Sequence, residues 1–217
     1  DGMSNYEYLN NFKEKMRESD SLEKSLNDVH CKGLFSLVVG GNENGRLLRV
    51  FIAHKKIKAG QIQYHSHRYP IKLTTLKGEV INHVARNGKN VLMDRFKYHS
   101  PLNGGDGLRF YGSGRYDLFE NTIPIGCSID MDSKEIHTVS CSKGSIWIVE
   151  EQGFESDFST VLGTPFITAD LYRKPEQFQI NDNYQLVKNC VNQILNSYIG
   201  VLDYEKTKEG DPSWYMG

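Results

Sequence analysis

The stretch Gly60–Gly78 reads GQIQYHSHRYPIKLTTLKG and narrows the choice of fold more than any other part of the chain. Within it, His65 and His67 stand one residue apart in a segment with strand character. Side chains alternate between the two faces of a strand, so both imidazoles point to the same side. Two rings on one backbone segment can reach a single metal ion, at about 2.0–2.1 Å for zinc. The stretch therefore predicts a strand that carries two metal ligands.

The composition bounds the class of protein. The 217 residues carry 26 basic and 27 acidic side chains, whereas a nucleic-acid-binding protein usually shows a basic excess. No apolar run approaches the roughly 20 residues that a membrane span requires. The first residues lack the pattern of a secretory signal. Four scattered cysteines without a Cys-x-x-Cys pair are expected to be free thiols rather than part of a zinc ribbon or a redox motif. We expect one large domain in the cytoplasm, without a nucleic-acid or membrane partner.

Short runs rich in Val, Ile, Phe, Tyr and Thr fill the chain from residue 33 to about 180. Turn residues interrupt them, which is typical of an antiparallel sandwich or barrel. Glycines predict a long loop over His99–Asn121, above the mouth of the barrel, and Asn87–Asn90 reads as a turn. The predicted strands are Leu34–Val39, Leu47–His54, Gln61–His67, Leu73–Leu76, Val80–Ala85, Val91–Tyr98, Ile136–Ser140 and Ser145–Glu150.

Both ends of the chain show helical spacing of apolar residues. The pattern predicts helical structure over 4–27, which Ser4 and Glu7 begin as a capping box and which Ser19-Asp20-Ser21 interrupts. A second helix is predicted over 182–199, with Asp182 as its cap, Gly200 at its end and a polar tail after it. We therefore expect a mainly β fold in three parts: an N-terminal helical segment packed on the barrel (1–32), the β-barrel (33–180), and a C-terminal helix with its tail (181–217).

The glycines around the histidine pair suggest a family. Gly60, His65, His67 and Gly78 resemble the first motif of the cupin superfamily, in which a glycine precedes His-x-His and a later glycine ends the motif. One residue fewer separates Gly60 from His65 than in that pattern.

A second motif follows farther along the chain. Pro124-Ile125-Gly126 and the later His137, on a run with strand character, are similar to the second cupin motif, with a longer spacing before the histidine. The resemblance covers roughly residues 34–152. It implies a double-stranded β-helix, the jelly-roll barrel of cupins, with three metal ligands inside: His65, His67 and His137.

The chain departs from the cupin pattern where a glutamate ligand is expected. That position falls near Ile71 or Lys72, so the ligand set resembles the three-histidine centres of the thiol dioxygenase branch. Three neutral imidazoles leave the charge of a divalent ion uncompensated, which favours an anionic ligand. The resemblance thus implies an iron(II) dioxygenase acting on a small anionic molecule, with open positions on the ion for substrate and dioxygen.

Two other functions stay open. A non-oxidative cupin isomerase or lyase would use zinc, manganese or nickel as a Lewis acid. A non-catalytic barrel that binds or senses a small ligand would keep the same melting temperature when divalent ions are added. The resemblance also allows a homodimer.

Four further residues are candidates for substrate binding. Gln63 shares strand parity with the two histidines, so it is expected to point inward and to bind substrate or orient a ligand. Tyr69 would line the rim of the site. Lys72 would hold a carboxylate or phosphate if it points inward, and it is an ordinary surface residue if it points outward. His83 is either a further group of the site or a hydrogen-bonded structural histidine.

Overall fold

The fold comes from a computed structural model, which describes residues 3–18, 25–41, 47–101, 104–163, 176–177 and 182–209. Helix α1 spans Asn5–Glu18 and helix α2 spans Asp182–Glu209. The described residues between the helices form twelve strands: β1 (Leu26–Asn27), β2 (Leu34–Gly41), β3 (Leu47–Ala53), β4 (Tyr64–His65), β5 (Ile71–Lys77), β6 (Val80–His99), β7 (Gly107–Ile123), β8 (Ser128–Met131), β9 (Ile136–Cys141), β10 (Ile146–Glu151), β11 (Ser159–Gly163) and β12 (Glu176–Gln177).

The strands form two antiparallel sheets. The larger sheet has the order β12-β1-β2-β3-β10-β5-β8, and the smaller one has the order β11-β4-β9-β6-β7. The long strand β6 closes the smaller sheet, because Val80–Ala85 pairs with β9 while Asp94–Tyr98 pairs with β11. Apolar side chains from both sheets, such as Leu73, Val139 and Trp147, form one core between them. The mainly β, cupin-like architecture predicted from the sequence is therefore confirmed.

Both helices pack on the outer face of the larger sheet. Leu9, Phe12 and Met16 of α1 share a core with the apolar stripe of α2 and with outward-facing residues of β2, β3 and β10. Among the described residues, one core therefore lies inside the barrel and another lies beneath the helices. Neither helix in the described part of the chain has the length and apolar composition needed to cross a membrane.

The start of α1 follows the prediction. The Ser4 amide donates to Glu7 Oε2 at 3.0 Å, and the Glu7 amide donates to Ser4 Oγ at 3.2 Å, which is a capping box. The helical structure predicted over 4–27 extends too far, because α1 ends at Glu18 and Leu26 lies in β1, paired with Ser36 and Gln177.

The predicted C-terminal helix is too short. Helix α2 continues through Gly200 to Glu209, so that glycine does not end it. Gly200 is exposed, and a glycine at such a position weakens a helix by only about 1 kcal/mol. The side chain of the predicted cap, Asp182, and the end of the predicted tail lie outside the described residues.

The predicted loop over His99–Asn121 is wrong from Gly107 onward. Those residues begin β7, which pairs with β6 along its whole length. Gly112 has a φ of 131° and lies where the register shifts between Arg95 and Phe96, so this glycine serves a β-bulge rather than a loop. The frequent glycines of this stretch therefore mark irregularities within a ribbon of two strands.

The predicted turn Asn87–Asn90 is a bulge inside β6. Asn87 and Val91 both pair with Tyr116, which leaves the residues between them looped out. Asp117 Oδ1 accepts the amide hydrogens of Lys89 and Asn90 at 3.0 and 3.2 Å. A Cβ atom at position 88 would lie 2.2 Å from Asp117 Cγ, so a larger residue there would displace the carboxylate that accepts these two hydrogen bonds. Turn-forming residues here bend a strand instead of ending it.

Candidate metal centre

Three histidine side chains converge inside the barrel. His65 on β4 is paired directly with His137 on β9, and His67 follows two residues after His65. The ring centroids are 4.9 Å apart for His65 and His67, and 5.0 Å apart for each of the other two pairs. One nitrogen from each ring lies within 4.8 Å of a nitrogen of the other two. The rings therefore form a nearly equilateral triangle around a common point.

Hydrogen bonds from neighbouring strands hold this short segment. Strand β4 has only two residues, fewer than the predicted Gln61–His67. Beyond it, the Ser66 amide donates to the Thr160 carbonyl oxygen at 2.8 Å, and Ser66 Oγ accepts the Thr160 amide hydrogen at 2.8 Å. The His67 amide donates to the Ser133 carbonyl oxygen at 3.3 Å. His67 thus keeps the direction of His65 although it lies outside the strand.

The remaining ring nitrogens show which atoms are available to an ion. His65 Nδ1 lies 2.7 Å from the Gln63 carbonyl oxygen, and His137 Nδ1 lies 2.8 Å from Asn82 Oδ1. Each of these oxygens accepts a hydrogen bond, so Nδ1 carries the proton and Nε2 has a free lone pair. His137 Nε2 and His67 Nδ1 are buried and have no hydrogen-bond partner among the described residues.

Buried polar atoms without a partner are rare in folded proteins, and a bound ion is one explanation for them. A divalent metal ion at the centre of the triangle would give these nitrogens a partner. The donor set, three imidazoles with at least two oriented by an outer hydrogen bond, fits zinc, iron(II) and related ions.

All three histidines are neutral at pH 7. Burial lowers the pKa of His65, and it lowers the pKa values of His67 and His137 well below the usual 6.5. The neighbouring imidazoles lower the last two pKa values further, since protonation of one ring opposes protonation of the next. Neutral imidazole is the form that binds metal ions, so the site is in its binding form without a pH change.

The triangle lies on the wall of a cavity of about 250 Å³ between the two sheets. The larger sheet faces it with apolar side chains, including Phe51 and Trp147, whose rings stack at 5.5 Å with planes 15° apart. Typical small-molecule pockets have about 300–1,000 Å³. The cavity therefore suits a small, partly apolar molecule.

A hydrogen-bonded polar group of three side chains interrupts this apolar wall. Arg49 Nε donates to Glu151 Oε1 at 2.7 Å, and the Tyr69 hydroxyl donates to the same oxygen at 2.6 Å. Glu151 is 2% exposed, and all three side chains line the cavity. Burial and the Glu151 carboxylate raise the pKa of Tyr69, so its phenol stays protonated. The ion pair is neutral as a whole, and it holds Tyr69 against the cavity.

Two of the predicted substrate-binding residues belong to this region. Tyr69 lines the cavity, and its ring centroid is 5.9 Å from that of His67. Gln63 contributes its backbone carbonyl, which orients His65, while its side chain is not part of the cavity wall. The orienting role considered for Gln63 is therefore performed by its main chain.

The structure does not bring Lys72 and His83 to the triangle. Lys72 alternates with Ile71 and Leu73, which line the cavity, so it points to the outer face, where its Nζ lies 4.1 Å from the centre of the Tyr8 ring on α1. His83 lies on the face of β6 opposite Asn82, and its Nε2 is 2.7 Å from Ser140 Oγ. Strand alternation thus places both side chains away from the triangle, which is the structural alternative that the sequence left open for each of them.

Three residues of this region, Arg49, Glu151 and Asn82, were not predicted from the sequence. Arg49 is a lone charge in LLRVFIA, and it shares parity with the inward-facing Phe51. Glu151 shares parity with the inward-facing Trp147 in IWIVEE. A charged residue on the buried face of an otherwise apolar strand is a usable signal for a functional position. Asn82 has no comparable signal, because its role depends on the pairing of β6 with β9.

No family model and no curated protein matches the sequence. Among solved structures, the hydroxypropylphosphonic acid epoxidase from S. wedmorenis has a TM-score of 0.38 at 10% identity, over 62% of this chain and 58% of that chain. A hydroquinone 1,2-dioxygenase has a TM-score of 0.33 at 14% identity, over 70% and 78%. An RmlC-like cupin from Shewanella frigidimarina has a TM-score of 0.28 at 16% identity, over 68% and 92%.

This chain thus spans less than two thirds of the length of the epoxidase. These similarities carry no activity over to this chain. The cupin-like fold and the group of three histidines are established by the strand order and the ring geometry of the chain itself.

Proposed function

We propose that the chain is a metal-dependent enzyme that oxidises a small anionic molecule with dioxygen, and that His65, His67 and His137 hold its iron(II) ion. One observation carries the proposal: the buried Nε2 of His137 has no hydrogen-bond partner among the described residues, while two other neutral imidazoles surround the same point. A divalent ion is the partner that this arrangement fits best, because neutral imidazole nitrogens are ligands for such ions.

The charge balance of the cavity supports an anionic substrate. The three histidines are neutral, the charges of Arg49 and Glu151 cancel, and Arg68, which also lines the cavity, adds a positive charge. A divalent ion would therefore bring an uncompensated double positive charge next to an apolar wall. A thiolate, carboxylate or enolate offsets that charge better than a neutral ligand does.

The residues around the triangle have separate tasks in this proposal. Asn82 and the Gln63 carbonyl keep a proton on Nδ1 of His137 and His65, so that Nε2 of each ring faces the ion. When bound, iron(II) supplies a redox-active Lewis acid with positions left for substrate and dioxygen. The Tyr69 oxygen, fixed by its bond to Glu151, can accept a hydrogen bond from the substrate.

Metal analysis combined with oxygen uptake tests the proposal. The chain is loaded with iron(II) without air, freed of excess iron, and mixed in air with small thiols, carboxylates and enolisable carbonyl compounds. We expect about one iron per chain and oxygen uptake that needs both iron and substrate. His137→Ala should lose both properties. The matched control, His83→Ala, should keep them, because that histidine lies on the other face of the sheet.

The same measurements separate the other functions. Conversion of a substrate without oxygen would overturn the oxidative reaction and favour an isomerase or lyase. A chain that takes up no iron, zinc, manganese or nickel would overturn the metal enzyme as a whole.

A further inference from the structure

A fourth imidazole lies beside the triangle without being part of it. The His30 ring stacks on His65 with centroids 5.3 Å and planes 18° apart, and it lies 6.3 Å from the Phe51 ring. His30 lines the same cavity and is exposed. The nitrogens that lie within 4.8 Å of one another are those of the triangle and do not include His30. His30 therefore borders the space in which a molecule bound to the ion would lie.

The backbone holds His30 in an unfavourable conformation. Asp28 and His30 have φ values of 49° and 64°, a region that residues other than glycine adopt infrequently. Hydrogen bonds fix this turn: Asp28 Oδ1 accepts the Gly33 amide hydrogen at 2.7 Å, and the Val29 amide donates to the Leu34 carbonyl oxygen at 2.9 Å. Strained backbone of this kind clusters at functional sites.

We propose that His30 forms a hydrogen bond with the substrate and does not bind the metal ion. This inference rests on the proposed function, because the substrate is the anion held by the ion. A neutral imidazole offers one donor and one acceptor. The inference narrows the substrate class: next to the atom that binds the ion, the molecule carries a second group able to form a hydrogen bond, such as a hydroxyl, carboxylate or amide.

Azide binding to the cobalt(II)-loaded chain tests this role without turnover. Azide is a small anion that can occupy an open position of the ion, and its binding is followed by visible absorption of cobalt(II). Cobalt(II) affinity is measured separately by competition with a chelator. The variants are His30→Gly, which suits a positive φ, and His30→Asn, which tolerates that φ and keeps a hydrogen-bonding side chain. His54→Gly, at an exposed histidine outside the cavity wall, is the control.

We expect His30→Gly to keep its cobalt(II) affinity within about threefold, since second-sphere contacts usually cost more than that only when they orient a ligand. Azide affinity should fall at least fivefold, and His30→Asn should recover part of it. The melting temperature of His30→Gly should change little, because relief of the positive φ offsets the greater freedom of glycine in the unfolded chain. His54→Gly should match the parent in both affinities.

Other outcomes overturn the inference in distinguishable ways. Unchanged azide affinity in His30→Gly would exclude a contact with the bound anion. A loss of cobalt(II) affinity of tenfold or more would make His30 a ligand instead. Equal weakness of the glycine and asparagine variants would exclude the hydrogen bond. If the parent chain binds no cobalt(II), the proposed function itself fails, and this inference fails with it.

Discussion

His137 and His83 lie on neighbouring paired strands and are similarly buried, with 3% and 8% of their surface exposed. Their hydrogen bonds differ. His83 has Ser140 Oγ at 2.7 Å from one nitrogen and Glu120 Oε2 at 3.5 Å from the other, whereas His137 Nε2 has no partner in the described part of the chain. Burial alone therefore does not identify a metal ligand. The nitrogen left without a partner, facing two similar rings, separates the candidate ligand from the structural histidine.

The largest effect should come from removing one histidine of this pair. We expect His137→Ala to lower the affinity for iron(II) or zinc more than a hundredfold, because loss of a ligand should exceed the 10–100-fold cost of changing the partner of a ligand. His83→Ala should keep the parent affinity. Competition with a chelator measures both, and equal losses in the two variants would remove the distinction between the histidines.

A smaller effect should follow from removing the partner of His137. Asn82→Ala leaves Nδ1 of His137 without its acceptor, so the ring loses its orientation. We expect a loss of about 10–100-fold in metal affinity. Asn121→Ala is the matched control, because Asn121 is paired with Asn82 across β6 and β7 but is exposed. A metal affinity of the Asn82 variant equal to that of the control would contradict an orienting role.

A similar comparison can be made between two tyrosines, Tyr69 in the polar group on the cavity wall and the exposed Tyr111. Tyr69→Phe removes a hydrogen bond to the buried carboxylate of Glu151, and such bonds to charged groups contribute about 1.5 kcal/mol or more. We expect the free energy of unfolding to fall by about 1.5 kcal/mol in urea denaturation. Tyr111→Phe, at an exposed ring, should change it by less than about 0.5 kcal/mol.

The smallest expected effect is a loss of stability of the metal-free protein at acidic pH. The pKa of His137 is lowered in the folded chain, so between the folded and the unfolded pKa the unfolded chain binds more protons. The metal-free protein should therefore lose stability as pH falls below about 6.5, with about 1 kcal/mol from this residue between pH 6.5 and 5.5. His137→Gln should lose correspondingly less over that interval in urea denaturation. An identical pH dependence in parent and variant would mean that His137 is not held neutral.

Much of the fold was predictable because short runs rich in Val, Ile, Phe, Tyr and Thr, bounded by turn residues, are typical of buried strands. Leu47–Ala53 and Ile136–Cys141 agree with the predicted runs to within one residue. Strand β7 was not predictable in this way, since its glycines and polar residues interrupt such a run and resemble a loop. A homodimer and a cytoplasmic location stay predictions.

In the candidate site, features set by local spacing were predictable from the residue pattern alone, and features set by pairing between distant strands were not. His65 and His67 follow from spacing of two within one strand, a local property. The convergence of His137 depends on the pairing of β4 with β9, and the resemblance to cupins supplied it. Parity along β5 places Lys72 on the outer face once the strand is known. Gln63 shows the limit of parity, because its contribution is a backbone carbonyl that no side-chain pattern reveals.

Strand β4 consists of two residues held between β9 and β11, yet it carries His65. Such a short strand has few backbone hydrogen bonds of its own, so it is a weakly held part of the barrel wall. An ion bound by both His65 and His137 would link β4 to β9 and stabilise this part of the wall. Amide hydrogens of residues 64–67 should therefore exchange with deuterium markedly more slowly when metal is added, while those of β2 and β3 hardly change. Metal binding and stable pairing of β4 within the barrel would then occur together.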